Sequence, residues 1–542
     1  MNGRKGTHMR LTNEGIQKTA DWEKCGVRMP SYDRAAMTKL TMEEPVWIHF
    51  GAGNIFRGFV AGLQQRLLEQ GLASKGIIAA ETYDFEIIDR IYKPYDSLTL
   101  MVSLKPDGST DREVIASLAA GLKASPDCPE DWQKIRDVFA APSLQMCSFT
   151  VTEKGYALKN MQGEITPLVA GDMKNGPERP RHAMAVVTAL LLHRFEYCAA
   201  PLAMVSMDNC SHNGEKLRAA VLEIAQAWVD GGFAPADFMA WLSDEAQVSF
   251  PWSMIDKITP RPADSVLEML QKDGFEAMRP IQTEKHTYIA PFVNAEVPQY
   301  LVIEDRFPNG RPALEKAGVY MTDRETVNKV ERMKVTTCLN PLHTGLAVCG
   351  CLLGYTSIAA EMRDDDLKKL AETIGYAEGL PVVTDPGILK PIDFLREVVE
   401  KRLPNPAMPD TPQRIACDTS QKLSIRFGET IKSRMQSETL GTEELKAIPL
   451  VLAAWIRYLK GVDDAGNEMA VSPDPMAPAL QEALRDVRVG KPETVGEKLR
   501  PILSNAVIFG VDLYEAGLGE KVEDMVRDML LPGGVRKALQ RL

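Results

Sequence analysis

The sequence predicts an α/β protein: an N-terminal Rossmann-type domain with a doubly wound sheet, followed by a mostly α-helical C-terminal domain. Residues 46–81 contain, in succession, a strand pattern, a glycine turn, a helix pattern and a second strand pattern. This order is typical of a βαβ unit, which carries a right-handed crossover and a parallel sheet. Beyond residue 305 the short apolar runs give way to long amphipathic patterns, which predict helices.

The first strand is predicted at VWIHF, residues 46–50, because a short run of β-branched and aromatic residues suits a buried strand. After the glycine turn, apolar residues recur at every fourth position, as on one face of a helix, and Gly71 marks its predicted end. KGIIAAE, residues 75–81, predicts the next strand. Further strand patterns lie at 98–104, 144–151 and 202–207.

In the second half, amphipathic patterns predict helices, and a proline-rich stretch at 402–412 predicts a rigid loop. The predicted helices cover 359–375, 393–402 and 480–499. We therefore predict three parts of the chain: an N-terminal extension, a dinucleotide-binding domain and a helical substrate domain, with bounds 1–45, 46–305 and 306–542.

Composition narrows the function classes. The 542 residues are 45% hydrophobic and 25% charged, with a net charge of −11 spread along the chain, which argues against nucleic acid or an anionic membrane as a partner. The longest apolar runs are about half as long as a bilayer span requires. Nine scattered cysteines predict a reduced, cytoplasmic protein. Residues 1–8 look like an expression leader before a start at Met9 rather than a targeting peptide.

The glycine turn is the first candidate site. Gly51 permits a tight turn, and Gly53 lets a pyrophosphate approach the N-terminus of the helix that starts near Asn54. Phe56 occupies the position of the usual third glycine, so we expect a wider or shifted turn. A G-x-G pattern is also common at the ends of strands, and a purely structural turn is an equal alternative at this point.

Two charged residues near this turn bear on the cofactor. Arg57 either contacts a phosphate or is a solvated surface residue. Glu81, at the end of the second strand, can accept hydrogen bonds from an adenosine ribose and repel a 2′-phosphate. No Arg or Lys occurs between Gly76 and Ile88 to attract that phosphate, so we expect NAD rather than NADP as the cofactor.

Residues 330–345, VERMKVTTCLNPLHTG, bring candidate catalytic residues together. Lys334 is a candidate general base, since burial of a lysine in an apolar pocket disfavours its charged form. Asn340 can donate to a developing alkoxide oxygen, and His343, three residues later, lies on the same helical face and can orient a substrate. The alternatives are a solvated lysine and a core histidine with satisfied hydrogen bonds.

Other polar residues follow strand patterns. Asp208, Asn209, His212 and Asn213 end the strand at 202–207, where a ligand crevice is expected, although an Asx-rich turn explains them equally well. Asp256 stands in an apolar stretch. Arg414 and Lys422, eight residues apart, are predicted on one face of a helix about two turns apart.

Taken together, these stretches resemble the polyol-specific long-chain dehydrogenase/reductase family, from about residue 30 to the C-terminus. The motifs occur in the order HFGAGNIFRGF, SFTVTEKGY, DNCSHNG, FPWSMIDKITPR, LVIEDRFPNGRP, ERMKVTTCLNPLHTG and DTSQKL. In this family the cofactor turn reads G-x-G-x-[FI]-x-R. The resemblance therefore implies that Phe56 and Arg57 belong to a dinucleotide cradle.

The resemblance also implies a role for each matching residue, without a metal. Lys334 matches the general base, and Glu331 matches the acid that exchanges protons between this lysine and solvent. Asn340 and Asn209 match an oxyanion-stabilising pair, and His343 matches a substrate-orienting histidine. The residues that match the lining of the substrate site are Asp256, Arg414 and Lys422.

Two departures from the family pattern concern the site. Lysine and asparagine are spaced K-x5-N instead of K-x4-N, and one extra residue turns a helix by about 100°. The local backbone must absorb this rotation, for instance by a kink at Pro341. In DTSQK, Thr419 stands where a glycine is usual.

We therefore expect an NAD-dependent, metal-independent oxidoreductase that acts on a small sugar acid. Residues 454–476 most resemble fructuronate reductases, which implies reduction of D-fructuronate to D-mannonate. Tagaturonate reduction and mannitol 2-dehydrogenation are alternatives from the same chemistry, and a nucleotide-sensing protein without catalysis is an alternative of another class. We expect a monomer or a weak homo-oligomer.

Overall fold

The computed structural model describes residues 9–160 and 162–542, so the leader proposed for residues 1–8 lies outside the described residues. The chain divides into two compact units. The first runs to Lys105 and resumes over Ser109–Asn328, and the second comprises Pro106–Gly108 and Lys329–Leu542. The first unit extends beyond the expected boundary at residue 305, because strand Tyr320–Thr322 pairs with strand Tyr300–Glu304.

The first unit contains a six-stranded parallel sheet. Its strands are β1 (Trp47–Phe50), β2 (Ile77–Glu81), β3 (Leu118–Lys123), β4 (Met146–Phe149), β5 (Leu202–Ser206) and β6 (Val248–Ser249). The strand order is β3-β2-β1-β4-β5-β6. This is the order of a doubly wound dinucleotide-binding sheet, in which the strand order reverses between β1 and β4. The predicted Rossmann-type fold is therefore confirmed.

The central strands are apolar at nearly every position because both faces of the sheet are covered. In β1, Ile48 and Phe50 enter the hydrophobic core on one face. Trp47 enters the core on the other face. The α-helices of this unit are Thr19–Lys24, Arg34–Glu43, Ala61–Glu69, Pro129–Ala140, Glu153–Tyr156, Pro167–Asn175, Ala183–Tyr197, Asn213–Asp230, Ala236–Ser243 and Asp264–Lys272.

Three smaller sheets complete the first unit. A four-stranded sheet has the order Val27–Arg28, Thr110–Ile115, Thr99–Leu104 and Phe292–Glu296. The predicted strand at 98–104 therefore belongs to this sheet and not to the dinucleotide-binding one, and the expected N-terminal extension contributes an edge strand. The others are Ser253–Asp256 with Tyr300–Glu304 and Tyr320–Thr322, and the hairpin Ile281–Gln282 with Tyr288–Ile289.

The second unit is helical, as predicted. Its α-helices are Asn340–Leu352, Ile358–Glu361, Asp365–Glu372, Pro391–Glu397, Pro412–Ile415, Glu429–Gln436, Ala447–Tyr458, Ala477–Ala483, Arg500–Leu503, Ala506–Phe509, Gly519–Met529 and Gly534–Gln540. The boundary between the units falls within helix Arg324–Met333. The prediction of a helix over 480–499 is wrong: Ala477–Ala483 ends early, and Gly490, with φ +82°, and Pro492 interrupt the pattern.

The buried helix Ala447–Tyr458 has a cap that is distant in sequence. The Glu378 carboxylate accepts hydrogen bonds from the backbone N–H groups of Lys446, Ala447 and Ile448 at 2.5, 2.7 and 2.8 Å. These donors have no partners within the helix, so the carboxylate satisfies them. One helical stretch, Arg324–Leu352, is long and apolar enough to cross a membrane, but 83% of its most apolar window is buried inside the protein.

Candidate active site

A cavity of about 560 Å³ in the first unit lies at the glycine turn, where the carboxyl ends of β1, β2 and β4 meet. Gly51 has φ +106°, and a Cβ there would lie 2.2 Å from the carbonyl oxygen of Thr150, so only glycine fits. A Cβ at Gly53 would face open space. A ligand can therefore approach the backbone at Gly53, which is what a pyrophosphate at a helix N-terminus requires.

Phe56 and Arg57 do not line this cavity, so their expected direct part in the cradle is corrected. Phe56 is fully buried and stacks on His49 of β1, with ring centroids 3.9 Å apart. The Arg57 guanidinium is also buried and donates to Asn54 Oδ1 and to the carbonyl of Ala290, both at 2.9 Å. Asn54 does not line the cavity either. Asn54, Phe56 and Arg57 therefore stabilise the turn from the side that faces away from the cavity.

The turn is wider than a regular helical turn, as Phe56 predicts. Residues Phe56–Val60 form a π-helical turn before helix Ala61–Glu69. A Cβ at Gly58 would lie 2.8 Å from Val293 Cγ1. Gly58 thus permits a close helix–strand contact, the role usually given to the third glycine. Burial of the Arg57 guanidinium lowers its pKa to about 10.

Glu81 lines the cavity, but its carboxylate also organises the loop around it. Oε2 accepts from the N–H of Ala52 at 2.9 Å, which ties the glycine turn to the end of β2. Oε1 accepts from Thr82, Tyr83 and Asp84 at 2.8 to 3.2 Å. Burial raises the pKa of Glu81, and these hydrogen bonds oppose that shift. A carboxylate oxygen has two lone pairs, so Oε2 keeps one for a ribose hydroxyl.

Several cavity residues had no signal in the glycine motif. Thr150 and Lys154 lie in the stretch SFTVTEKGY, which the family resemblance includes. Arg181 and His182 also line the cavity, and no sequence pattern singled them out. Burial lowers the pKa of His182, so this side chain is neutral at pH 7. Only folding brings these residues to the glycine turn.

A hairpin loop at 283–287 also reaches the end of β2. Thr283 Oγ1 donates to Asp84 Oδ2 at 2.6 Å, and the N–H of Glu284 donates to Glu86 Oε1 at 2.7 Å. Lys285 Nζ lies 5.0 Å from the centroid of the Tyr83 ring. The loop thereby places a cation beside a segment that contains none of its own.

Two side chains of the polar cluster after β5, those of Asp208 and Asn213, form several hydrogen bonds within the protein. Asp208 accepts from the N–H groups of Val151 and Thr152 at 3.0 and 2.9 Å. Asn213 Nδ2 donates to the carbonyls of Ser206 and Asp208, and to Ser253 Oγ. Both side chains therefore have hydrogen-bond partners within the protein, although none of these hydrogen bonds is that of an Asx turn.

The remaining residues of this region are arranged around the same loop. His212 has a left-handed φ of 51° and stacks on Trp252, with centroids 4.4 Å apart. Asn209 is solvent-exposed. Asp256 is buried, at the end of strand Ser253–Asp256. Since Asn213 bonds to Ser253, the loop that carries Asn209 is tied to the strand that carries Asp256.

In the second unit, Lys334 is 4% exposed and begins a π-helical turn, Lys334–Cys338. The N–H of Leu339 donates to the carbonyl of Lys334 at 3.1 Å, which closes a turn with one residue more than an α-helical turn. Leu339 then leaves helical geometry, with φ −130° and ψ −60°. The extra residue of the K-x5-N spacing is absorbed here, and Pro341 lies in the first turn of the helix that follows.

Asn340 and His343 lie in the first turn of helix Asn340–Leu352, which confirms that they share a face. Glu331 lies one turn before Lys334, on helix Arg324–Met333. His343 Nε2 is 3.8 Å from Asp410 Oδ2. Burial lowers the pKa of His343 to about 4, against the attraction of Asp410, so the ring is neutral at pH 7.

The single helical face predicted for Arg414 and Lys422 is wrong. Arg414 lies in the short helix Pro412–Ile415, and Asp418, with φ 52°, interrupts the helical path to Lys422. Arg414 is 65% exposed and forms an ion pair with Asp410. The Lys422 ammonium donates to the backbone carbonyls of this loop, at residues 415 and 417.

The unusual Thr419 fits the loop without strain. Its Oγ1 donates to the carbonyl of Ala416 at 2.8 Å, and the positive φ belongs to its neighbour Asp418. A further cation, Arg426, was not singled out by any motif. Its Nη1 donates to Thr344 Oγ1 at 2.5 Å, directly beside His343.

Comparison with known proteins identifies the family to which the chain belongs. Models of the mannitol dehydrogenase Rossmann domain and of the mannitol dehydrogenase C-terminal domain match residues 46–316 and 326–530. A D-mannonate oxidoreductase of Thermotoga maritima is 53% identical over 537 residues, which cover 98% of this chain and 99% of that protein. The chain belongs to the mannitol dehydrogenase family. The family resemblance drawn from the motifs is thereby confirmed.

Two solved structures share this family fold. A Pseudomonas fluorescens mannitol 2-dehydrogenase, in a ternary complex with NAD and D-mannitol, is 26% identical, with a TM-score of 0.69 and coverage of 98% of this chain and 99% of that one. A D-sorbitol dehydrogenase in substrate-free form is 24% identical, with a TM-score of 0.77 and coverage of 95% and 97%. The second similarity supports the fold alone.

Metal binding by this member of the mannitol dehydrogenase family would require a cluster of suitable side chains. Within residues 9–160 and 162–542, no group of three or more His, Cys, Asp or Glu side chains is arranged to hold a metal ion. All nine cysteines are free thiols. Metal independence itself remains a prediction about activity.

Proposed function

We propose that this protein is an NAD-dependent secondary-alcohol dehydrogenase that reduces D-fructuronate to D-mannonate and catalyses the reverse reaction. The observation that carries the proposal is the 53% identity to a D-mannonate oxidoreductase over nearly the whole of both chains. The cavity at Gly51 and Gly53, and the buried Lys334, supply the two parts that such a reaction needs.

The first unit supports a nicotinamide cofactor. An obligatory glycine at 51, open space at Gly53 and the carboxylate of Glu81 fit a dinucleotide in a doubly wound sheet. A family member of known structure binds NAD. The bound cofactor supplies or accepts the hydride.

Side chains of the protein transfer the proton and bind the reacting oxygen. Lys334 donates a proton to the oxygen during reduction and removes it during oxidation. Asn340 and Asn209 donate hydrogen bonds to that oxygen as charge develops. Glu331 exchanges protons between Lys334 and solvent, while the neutral His343 orients the substrate. Asp256, Arg414 and Lys422 are proposed to line the substrate site.

The proposal includes the cytoplasm as the compartment, which the free thiols support, and a monomer or weak homo-oligomer as the assembly. No metal is part of the proposed mechanism. A sugar acid is the proposed partner, and neither nucleic acid nor membrane is one.

A substrate panel tests the proposal. With NADH as the reductant, kcat/KM is measured for D-fructuronate, D-tagaturonate and D-fructose. We expect D-fructuronate to exceed D-fructose at least tenfold, which corresponds to about 1.4 kcal/mol. Equal efficiency on D-fructose would indicate a polyol dehydrogenase, a preference for D-tagaturonate would indicate the other reductase, and NADH binding without turnover would indicate a sensor.

A further inference from the structure

Four cationic side chains lie on the segments around His343, and they differ in their interaction partners. Arg414 pairs with Asp410 and is mostly exposed. The Lys422 ammonium donates hydrogen bonds to backbone carbonyls of its own loop. Arg402 is buried, and its positive charge, like those of Arg414 and Arg426, opposes protonation of His343.

Arg426 differs from Arg414 and Lys422 in its partners. Its hydrogen bond to Thr344 Oγ1, at 2.5 Å, is to a neutral hydroxyl. Across the described residues, no carboxylate opposes the effect of burial on the pKa of its guanidinium. Burial lowers the pKa of the guanidinium to about 10, so it is still charged at pH 7. A poorly solvated cation without a counter-ion is costly, and an anionic ligand removes that cost.

The backbone fixes Arg426 close to the predicted substrate residues. The N–H of Arg426 donates to the carbonyl of Lys422 at 2.9 Å, so the two side chains lie one helical turn apart. Thr344, its hydrogen-bond partner, follows His343 directly in helix Asn340–Leu352. The positive charge of Arg426 also lowers the pKa of His343, so the guanidinium lies near the histidine that is proposed to orient the substrate.

We propose that Arg426 binds the carboxylate of the sugar acid and is the main determinant of preference for acids over neutral sugars. This inference rests on the proposed function. A guanidinium presents donors that match both oxygens of a carboxylate, which a neutral polyol cannot use. Arg414 and Lys422 are weaker candidates because Asp410 and backbone carbonyls already engage them.

The variants Arg426→Met and Arg426→Lys test this assignment. We expect Arg426→Met to lower kcat/KM for D-fructuronate at least tenfold, mainly through KM, and to change kcat/KM for D-fructose less than threefold. Arg426→Lys keeps the charge but loses the paired donors, so it should fall between Met and wild type. Arg485→Met is the matched control, since this arginine is 68% exposed and pairs with Glu482.

Binding of D-mannonate to the enzyme–NADH complex separates this inference from the proposed function, because two reduced partners cannot react. Calorimetry should show at least tenfold weaker D-mannonate binding in Arg426→Met, with NADH binding unchanged. Equal losses on D-fructuronate and D-fructose, or an unchanged D-mannonate affinity, would overturn the inference even if wild type turns over D-fructuronate. Arg426-dependent D-mannonate binding without turnover would support the inference and refute the proposed function.

Discussion

At the residue scale, Lys334 combines burial with a position at the first residue of a π turn. The turn holds the backbone on its C-terminal side, while Glu331 stands one helical turn before it. A buried amine in a predicted catalytic stretch is suited to donate a proton to a bound substrate or to accept one from it.

Replacement of this amine tests its role. Lys334→Ala should lower kcat by about 10²–10⁴-fold, the usual contribution of general acid–base catalysis, and leave NADH affinity unchanged. Stopped-flow reduction and NADH fluorescence titration measure the two quantities. Lys432→Ala is the control, since Lys432 is 42% exposed and pairs with Glu429. A near-normal rate in Lys334→Ala would remove the lysine from the mechanism.

Glu361 is a second unusual residue, away from the proposed site. Its side chain is 0% exposed, and within the described part of the chain neither carboxyl oxygen has a hydrogen-bond partner. A Cβ at Gly350 would lie 1.8 Å from Glu361 Oε1, so glycine makes room for the carboxyl group. Burial raises the pKa of Glu361 to about 9, and the negative charge of Asp364 adds to this shift.

This pKa shift predicts a pH-dependent stability. The unfolded chain loses the proton near pH 4.5, whereas the folded chain keeps it until about pH 9, so folding stability falls as the pH rises between these values. The slope approaches about 1.4 kcal/mol per pH unit.

Glu361→Gln cannot ionise, so its free energy of unfolding relative to wild type should increase steadily from pH 5 to pH 9. Urea unfolding across this range measures it. Glu372→Gln, at a side chain 42% exposed, should show no such trend. A constant difference between Glu361→Gln and wild type would contradict the assignment of a neutral buried carboxyl.

At the element scale, π-helical turns occur in both sequence regions that carry the predicted chemistry: Phe56–Val60 after the glycine turn and Lys334–Cys338 before Asn340. A π turn accommodates one extra residue without rotating the rest of a helix by about 100°. The K-x5-N spacing is therefore compatible with the same facing of lysine and asparagine as a shorter spacing in a regular helix.

A one-residue deletion tests this interpretation. Removal of Val335, which lies within the π turn, should convert it to a regular α-helical turn and cost less than about 2 kcal/mol of stability. Removal of Val348, in helix Asn340–Leu352, should rotate every later residue and cost more than twice as much. Thermal unfolding followed by circular dichroism compares the two. Equal destabilisation would show that the π turn does not buffer chain length.

At the scale of the whole molecule, residues distant in sequence meet at the end of β2. The hairpin loop at 283–287 bonds to Asp84 and Glu86, and carries Lys285 to the Tyr83 ring. We therefore expect cofactor preference to depend on two segments about 200 residues apart. We expect the carboxylates of Glu81 and Asp84 to disfavour a 2′-phosphate and Lys285 to offset part of that effect.

We expect kcat/KM to be at least tenfold higher with NADH than with NADPH. Lys285→Ala should lower efficiency with NADPH at least threefold and leave NADH kinetics unchanged, because only NADPH carries a 2′-phosphate for this cation to attract. Steady-state kinetics at low and high salt measure both effects, with Lys272→Ala, at the end of helix Asp264–Lys272, as a control. Comparable efficiency with both cofactors in wild type would contradict the expected preference.

Metal independence is the second prediction at this scale. Activity should survive prolonged treatment with a chelator, because the proposed proton transfer and oxyanion stabilisation use only lysine and asparagine side chains. The measurement compares the rate before and after dialysis against EDTA. A loss of activity that added zinc restores would contradict the proposed mechanism.

The sequence by itself determined the fold class, the family and the order of the first strand, turn, helix and strand. Alternation of apolar runs with glycine and helical patterns is a short-range property, so β1, the glycine turn and β2 followed directly from it. It also gave the shared face of Asn340 and His343, since both lie within one turn. The composition and the order of the motifs are properties of the chain itself, so both can be determined without knowledge of any tertiary contact.

Only the tertiary structure decided which polar groups are already occupied. The sequence left Glu81, Asp208 and Arg57 as candidate ligands, but each is engaged by a distant backbone or side-chain group. The structure likewise pairs Arg414 with Asp410, whereas Arg426 donates to the neutral hydroxyl of Thr344. A hydrogen-bond partner is set by proximity in space, and local patterns of charge and hydrophobicity do not encode it.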